Sequence, residues 1–346
     1  MNQNHEITKE IPVPGTFGTI DEPGFSRSPV MKYTRENMKA PWFRKKEWDY
    51  YLFNNSEIAV AFTISDLGYA GLLSASVIDL KNRTQHTESE VDPFPRGKRY
   101  GLGASTSDAD ASCHTKRLDL TFSRTEKGRH ISCIFRNFDK ENALTAELDV
   151  YEPDMEAMYI ATPWKEKPTA FYYNCKMNCL EAEGTVAYGD RIYRLNREDT
   201  LGVLDWGRGI WTYDNTWYWG TGSGRIGGEP FGFNLGYGFS DRTAASENCV
   251  FYRGKLHKLQ EISFGIPVID GKKEYLKPWD ITSDDGRFRG TFTPILDRNA
   301  FMDFKVILSD QHQVFGTMDA EIVLDSGEKL EIRDFISALE EVRNKY

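Results

Sequence analysis

From about residue 46 onward the apolar and polar positions alternate, or run apolar, over lengths typical of strands. "EIAVAFTIS", "LLSASVIDL", "HISCIFRNF", "ALTAELDVY" and "EGTVAYGDRIYRLN" all read this way. Turn chemistry separates such runs: "YRGK" at 252–255, "SDDGR" at 283–287 and "LDSGEK" at 324–329 predict hairpin loops. Residues 1–45 are punctuated by Pro, Gly and Ser and are expected to lie extended over the surface. Only "RDFISALEEVRNKY" shows helical spacing, with Phe335, Ala338, Leu339 and Val342 on one face, which predicts a terminal helix. The pattern is that of an all-β protein with one C-terminal helix.

A weak internal repeat divides the chain. "WDYYLFNNSEIAVAFTISDLGYAG" opens at Trp48 and "WYWGTGSGRIGGEPFGFNLGYGF" at Trp217, and each reaches "LGY" after nearly equal length, at Tyr69 and Tyr237. Two similar β units are what a duplicated fold produces. The expected organisation is an extended segment at 1–45, a first β unit at 46–198 and a second at 199–346, parted in "LNREDT".

Two stretches near the second Trp stand out. In "FGFNLGYGF" the residues Phe231, Phe233, Leu235, Tyr237 and Phe239 share one strand face, while Gly232, Asn234, Gly236 and Gly238 share the other. Repeated glycine within a strand marks either a barrel corner or the close approach of a ligand or another strand. In "DWGRGIWTYDNTWYWGTG" the residues Trp206, Trp211, Trp217 and Trp219 surround Asp205 and Arg208. Strict alternation puts Asp205 and Arg208 on opposite faces, so a shared cavity requires a bulge at Gly207. Their other reading is a structural ion pair. Further isolated polar residues follow on apolar strands: Glu247, Asn248, Lys258, Arg298, Gln311, His312 and Gln313. Their accumulation points to a polar-lined cavity in the second half.

Composition narrows the function classes. Apolar residues make up 40% and charged residues 27%, the balance of a folded protein. Net charge is −9 and no basic stripe exists, so no nucleic-acid partner is expected. No run approaches a membrane span, so no stable membrane insertion is expected. The opening "MNQNHEITKEIPVPG" lacks the basic and apolar regions of a secretory signal, which leads to the expectation of a cytoplasmic protein with reduced cysteines. Cys175 and Cys179 are about 13 Å apart along a strand, too far for a shared ion, so no metal is expected. "GTGSGRIGG" lacks the Lys-Ser/Thr ending of a phosphate loop, and "GLGASTSD" has no βαβ context. The chain has no nucleophile elbow at Ser223, since Thr221 and Arg225 replace the required glycines.

The blocks "LDWGRGIWTYDNTWYWGTGSG", "SENCVFYRGKLHKL", "PWDITSDDGRF", "FTPILDR" and "SDQHQVFG", with "KKEWDYYLF" and "FYYNCKMNCLEAEGTVAYGDRIY" upstream, resemble the uncharacterised bacterial family DUF2804. That resemblance implies a distant relation to the calycin group of carotenoid 1,2-hydratase, AttH-like proteins and fungal pericyclases. Its implied fold is two tandem lipocalin-like antiparallel β-barrels. The leading expectation is a cofactor-free enzyme of hydratase, isomerase or cyclase type, acting on a hydrophobic or amphipathic small molecule in or between the barrels. Asp205 would act as acid or base, tuned by Arg208, with Glu247 and His312 as further catalytic candidates. Trp211, Trp217, Trp219 and Tyr237 would wall the site, and Asn234, Asn248 and Lys258 would contact the ligand. A non-catalytic carrier and a purely structural protein are the alternatives. The sequence leaves the oligomeric state open.

Overall fold

The computed structural model describes residues 3–108, 110–303 and 305–345. Nearly everything regular in it is strand; the helical elements among the described residues are two single 3-10 turns, Arg35–Asn37 and Trp42–Arg44. Two curled antiparallel sheets form lipocalin-like half-barrels. In the first, the order is Thr84–Pro93, Ala70–Asp79, Ile58–Asp66, Lys45–Asn54, Leu201–Ile210, Lys167–Tyr188, Leu144–Tyr151, Gly128–Phe135, Leu118–Thr125 and Ala111–His114. In the second, Lys255–Lys258 is followed by Cys249–Tyr252, Glu229–Tyr237, Asp214–Ile226, Lys329–Lys345, Leu308–Val323, Phe288–Asp303, Trp279–Ser283 and Ile262–Gly265. Each sheet curls around its own apolar core. A third, smaller core of Leu52, Ala59, Ala61, Ile78, Val203, Trp219, Phe315 and Ala338 lies between their facing sides.

The expected C-terminal helix is a strand. Lys329–Lys345 runs between Asp214–Ile226 and Leu308–Val323 in the middle of the second sheet. The register shifts opposite Met318 and Ala320, where Asp334 has φ +48. Beyond that bulge Phe335 and Leu339 enter the second unit's core, while Ile336 and Ala338 pack against the first sheet. Two buried faces, each with period two, add up to a spacing that imitates a helix.

"LNREDT" is a turn within the first sheet, closed by the Thr200 N–H to Asn196 O at 2.9 Å. Leu201–Ile210, expected at the start of the second unit, pairs with Lys45–Asn54 on one side and Lys167–Tyr188 on the other. The chain changes sheet only at residues 211–213. A hairpin turn and an inter-unit linker use the same residues, so composition cannot separate them.

The glycine-rich face of Glu229–Tyr237 packs against the first sheet. A Cβ on Gly232 would come 3.0 Å from both Asn178 Cβ and Cys179 Sγ. Asn178 sits at a bulge of the long strand Lys167–Tyr188, where Cys179 has φ +63. Its amide nitrogen lies 3.0 Å from Thr221 Oγ1 and 3.0 Å from Phe233 O, with Gly222 O and Ser223 Oγ slightly farther. An amide has two hydrogens to share among these. Asn178→Ala is therefore expected to cost about 2 kcal/mol, read as a fall in thermal midpoint. Cys179 meets Gly232 across the seam and Cys175 lies beside Tyr159, and both thiols are buried within the first core.

The first residues form a strap. Arg27 reaches Glu156 at the first sheet and the Leu256 carbonyl of the second, and Arg44 donates to the Trp211 carbonyl. No helix among the described residues is long and apolar enough to cross a membrane.

Candidate active site between the two sheets

One rung of each sheet meets the other across the seam. In the first sheet Tyr50, Asp205 and Lys176 are register partners on adjacent strands. In the second, Trp219, Glu340, Gln313 and Arg298 are. Alternation turns both sets inward toward the seam. The Tyr50 hydroxyl lies 3.4 Å from Gln313 Oε1, and its ring meets Trp219 edge-on at 6.0 Å.

Lys176 is the centre of charge. Its Nζ is 2.8 Å from Asp205 Oδ1, 4.0 Å from Glu247 Oε2 and 4.8 Å from the Trp219 ring centroid. Only 3% of its side chain is exposed, which makes the two carboxyl groups obligatory partners of a desolvated ammonium. Asn174 also donates to Asp205 Oδ1, at 2.6 Å. Both bonds thus end on one oxygen, and Asp205 keeps 14% of its side chain exposed. Glu247 accepts the Tyr172 hydroxyl at 2.8 Å. Burial pushes the Glu247 carboxyl above its ordinary value, and the Lys176 charge opposes that. Burial likewise raises Glu340, which accepts Trp217 Nε1 at 2.9 Å and Gln313 Nε2 at 2.8 Å. Tyr50 is pushed up to about 12 by burial, and Tyr172 is raised well above the usual tyrosine value by burial and then by the Glu247 charge.

An aromatic wall adjoins these groups. Trp211 stacks on Phe239 at 5.5 Å and meets Trp217, Trp164, Tyr172 and Trp48 edge-on or tilted at 5.2–6.1 Å. Gly207 makes room for this: a Cβ there would fall 2.1 Å from the Trp48 ring. The arrangement can move a proton between carboxyl groups beside a wall of π faces, which suits an apolar guest and stabilises developing positive charge.

The structure brings together Asp205, Glu247, Trp211, Trp217, Trp219 and Asn234. Asn234 accepts Trp219 Nε1 at 2.8 Å and donates to the Glu247 carbonyl at 2.9 Å. Arg208 lies elsewhere. Leu201–Ile210 pairs with Lys45–Asn54 in unbroken register, so no bulge turns the two charges to one side. Arg208 is fully buried in the first unit, on Asp49 Oδ1 at 3.0 Å and on the carbonyls of Trp48, Gly207 and Gly103. His312 faces away from the seam, because its neighbour Gln313 faces into it. His312 binds Asp297 at 2.7 Å and stacks on Tyr275 at 3.8 Å. Tyr237 also turns away, stacking on Tyr218 at 4.4 Å.

Asn248 and Lys258 hold the segment that carries Glu247. Asn248 accepts the Gly236 N–H, and Lys258 donates to the carbonyls of Ser246 and Asn248 at 2.6 and 2.9 Å. Burial lowers Lys258 to about 8. Its folded value lies below the unfolded one, so the cost of burying its charge is present at pH 7 and is relieved as pH rises from about 8 toward 10.5. The thermal stability of the wild type relative to Lys258→Met is therefore expected to climb over pH 8–10, by up to about 3 kcal/mol. A flat difference would contradict it.

Sequence reasoning missed Lys176, Tyr172, Asn174, Trp48, Tyr50 and Glu340. A signal was present for three of them: in "FYYNCKMN" alternation sets Tyr172, Asn174 and Lys176 on one face and Tyr173, Cys175 and Met177 on the other.

Two curled antiparallel half-barrels in tandem, seamed along a polar and aromatic crevice, define a lipocalin-like double-barrel class. The chain belongs to the family described as domain of unknown function DUF2804, whose model matches residues 4–346. Among solved structures it resembles kievitone hydratase from Nectria haematococca, with 11% identity over 86% of this chain and 88% of that one and a TM-score of 0.51, a likeness of fold. An AttH-type protein from Nitrosomonas europaea has 13% identity over 87% and 93%, with a TM-score of 0.48. CghA has 10% identity over 88% of each chain, with a TM-score of 0.43. A comparison with curated proteins returned no match.

Proposed function

We propose that the chain is a cofactor-free enzyme performing acid–base chemistry, of hydratase, isomerase or cyclase type, on an apolar or amphipathic small molecule held in the crevice between the two sheets. The observation that carries this reading is the shared ammonium: Lys176 joins Asp205, which keeps a free oxygen, to Glu247, whose proton affinity is raised by burial. Two carboxyl groups in unlike environments are the ordinary equipment for giving a proton at one place and taking it at another. A carrier needs apolar walls and anchors but gains nothing from burying such a cluster. Trp211, Trp217 and Trp219 would face the guest, and the likeness of fold to a kievitone hydratase agrees with the hydratase variant of the reading.

The test is to incubate the purified protein with a lipid-soluble metabolite extract in water enriched in 18-O and deuterium, and to follow it by mass spectrometry. Wild type should consume at least one compound with gain of labelled water, or convert it to a labelled isomer, and Asp205→Asn should not. Identical profiles for wild type, variant and buffer would sink the enzyme in favour of the carrier.

A further inference from the structure

The end of the seam where the chain crosses between the sheets carries an apolar rim. On the first sheet Lys45–Asn54 begins there, Leu201–Ile210 ends there, and Ile58–Asp66 and Thr84–Pro93 end beside them. On the second, Asp214–Ile226 begins there while Phe288–Asp303 and Lys329–Lys345 end there. Residues 211–213 hold the two sets of strand ends together. Large apolar side chains stand in water around this end: Phe94 is 54% exposed, Phe301 71% and Val306 68%. Trp42 meets Phe43 and Phe94 edge-on at 5.6 and 6.1 Å, and the Tyr213 hydroxyl donates to the Val306 carbonyl at 2.6 Å, so both sheets and the linker contribute. The rim also continues the aromatic wall. In the first sheet the rung of Trp48 runs through Ser65 to the exposed Leu72 and Val91. In the second the rung of Trp217 runs through Val342 and Gln311 to Ala300, with the exposed Met302 next on the same face.

Charge at the rim opposes that of the whole chain. Over residues 35–46 the one acid, Glu36, stands against Arg35, Lys39, Arg44, Lys45 and Lys46, and over 92–99 the one acid, Asp92, stands against Arg96, Lys98 and Arg99, in a protein of net charge −9. Glu47 takes Arg35 and Asp92 takes Arg99, while Lys39, Arg96 and Lys98 stay exposed. The Arg96 guanidinium lies 4.6 Å from the Trp42 ring centroid, which sets cation and ring side by side. On the second sheet Asp214 is matched by Arg343 and Lys345, and Asp303 sits beside Lys305, so that side is near balance. A second copy of the chain would bring the unmatched cations against their own kind. We propose that the rim rests on the surface of an acidic lipid bilayer: its aromatic side chains enter the headgroup layer, Lys39, Arg96 and Lys98 meet lipid phosphates, and no strand crosses. The docking stands apart from the enzyme reading; that it lets an apolar guest pass from lipid to crevice rests on that reading.

The test sediments the intact protein with vesicles of phosphatidylcholine, alone or with about one-third phosphatidylglycerol, at low and high salt. Binding should be roughly tenfold or more stronger on the acidic vesicles and should weaken with salt. Phe94→Ser with Phe301→Ser should lower it roughly 100-fold. Lys39→Glu with Lys98→Glu should abolish the preference for acidic vesicles. Ile192→Ser removes a comparably exposed side chain at the opposite end of Lys167–Tyr188 and should change nothing. No binding to acidic vesicles, or equal losses in the Ile192 and double-phenylalanine variants, would overturn the proposal. So would concentration-dependent dimers that the double-phenylalanine variant dissolves, since a second copy would then cover the rim. Should that variant not fold, vesicles of lipids brominated along their tails decide: quenching of tryptophan fluorescence that Trp42→Phe removes supports the rim, and quenching that persists there, or none at all, refutes it. Vesicle binding without turnover of any compound keeps the rim and sinks the enzyme. Asp205-dependent turnover without vesicle binding does the reverse.

Discussion

Asp205→Asn is expected to lower turnover by roughly 100- to 10,000-fold, the range for loss of a general acid or base, and to lower stability as well. The stability loss follows from the geometry, because Lys176 is buried and Asp205 is its contact at 2.8 Å. Glu247 remains at 4.0 Å as a second counter-charge, so the expected cost is about 2–3 kcal/mol, somewhat under that of leaving a buried charge alone. A single variant therefore cannot separate catalysis from structure. The pair of changes Lys176→Met and Asp205→Asn can. Removing both charges should restore most of the thermal midpoint, since neither member of that pair is left uncompensated and the buried Glu247 carboxyl can take up a proton, while turnover should stay lost because position 205 no longer carries a carboxylate. A double variant that regains activity with its stability would show that Asp205 only holds Lys176 in place.

Arg208→Met should have the larger effect on folding and its own pH signature. Arg208 is fully buried, makes bonds to three carbonyls and to Asp49, and lies 4.0 Å over the Trp206 ring. Burial already raises the Asp49 carboxyl, and the Arg208 charge is the main influence opposing that rise. Without Arg208 the raised folded value of Asp49 would move further above its unfolded value. A carboxyl of that kind loses stability as pH rises, so the deficit should approach about 3–5 kcal/mol at pH 7 and shrink toward pH 5. Chemical denaturation at the two pH values measures it, and Asp49→Asn in the same background should recover part of the loss. A deficit independent of pH would show that the carbonyl contacts, and not the ion pair, carry the effect.

The period-two pattern made the strands legible, because alternation is a local property of each run. What it could not reveal was which sheet a strand joins. Leu201–Ile210 reads equally well in either unit, and only its pairing with Lys45–Asn54 and Lys167–Tyr188 assigns it. The site shows the same limit. Asp205 and Glu247 drew attention as isolated charges on apolar strands, but Lys176, the group that joins them, sits in a strand already well explained by packing. Arg208 looked like the partner of Asp205 through nearness in sequence, whereas alternation separates them by the full thickness of the sheet. Glu340 was hidden by the helical spacing of its strand.

The place of Lys329–Lys345 has a consequence for how the protein is made. That strand lies against Asp214–Ile226, more than a hundred residues earlier in the chain. Until the ribosome has delivered it, the second sheet lacks its middle, and the side of the first sheet that carries Leu52 lacks the cover of Ile336 and Ala338. Such late, distant pairing makes folding slow and leaves a sticky intermediate during synthesis. A nascent chain stalled before residue 329 should therefore recruit chaperones, and the crevice should be the last part of the molecule to come into being.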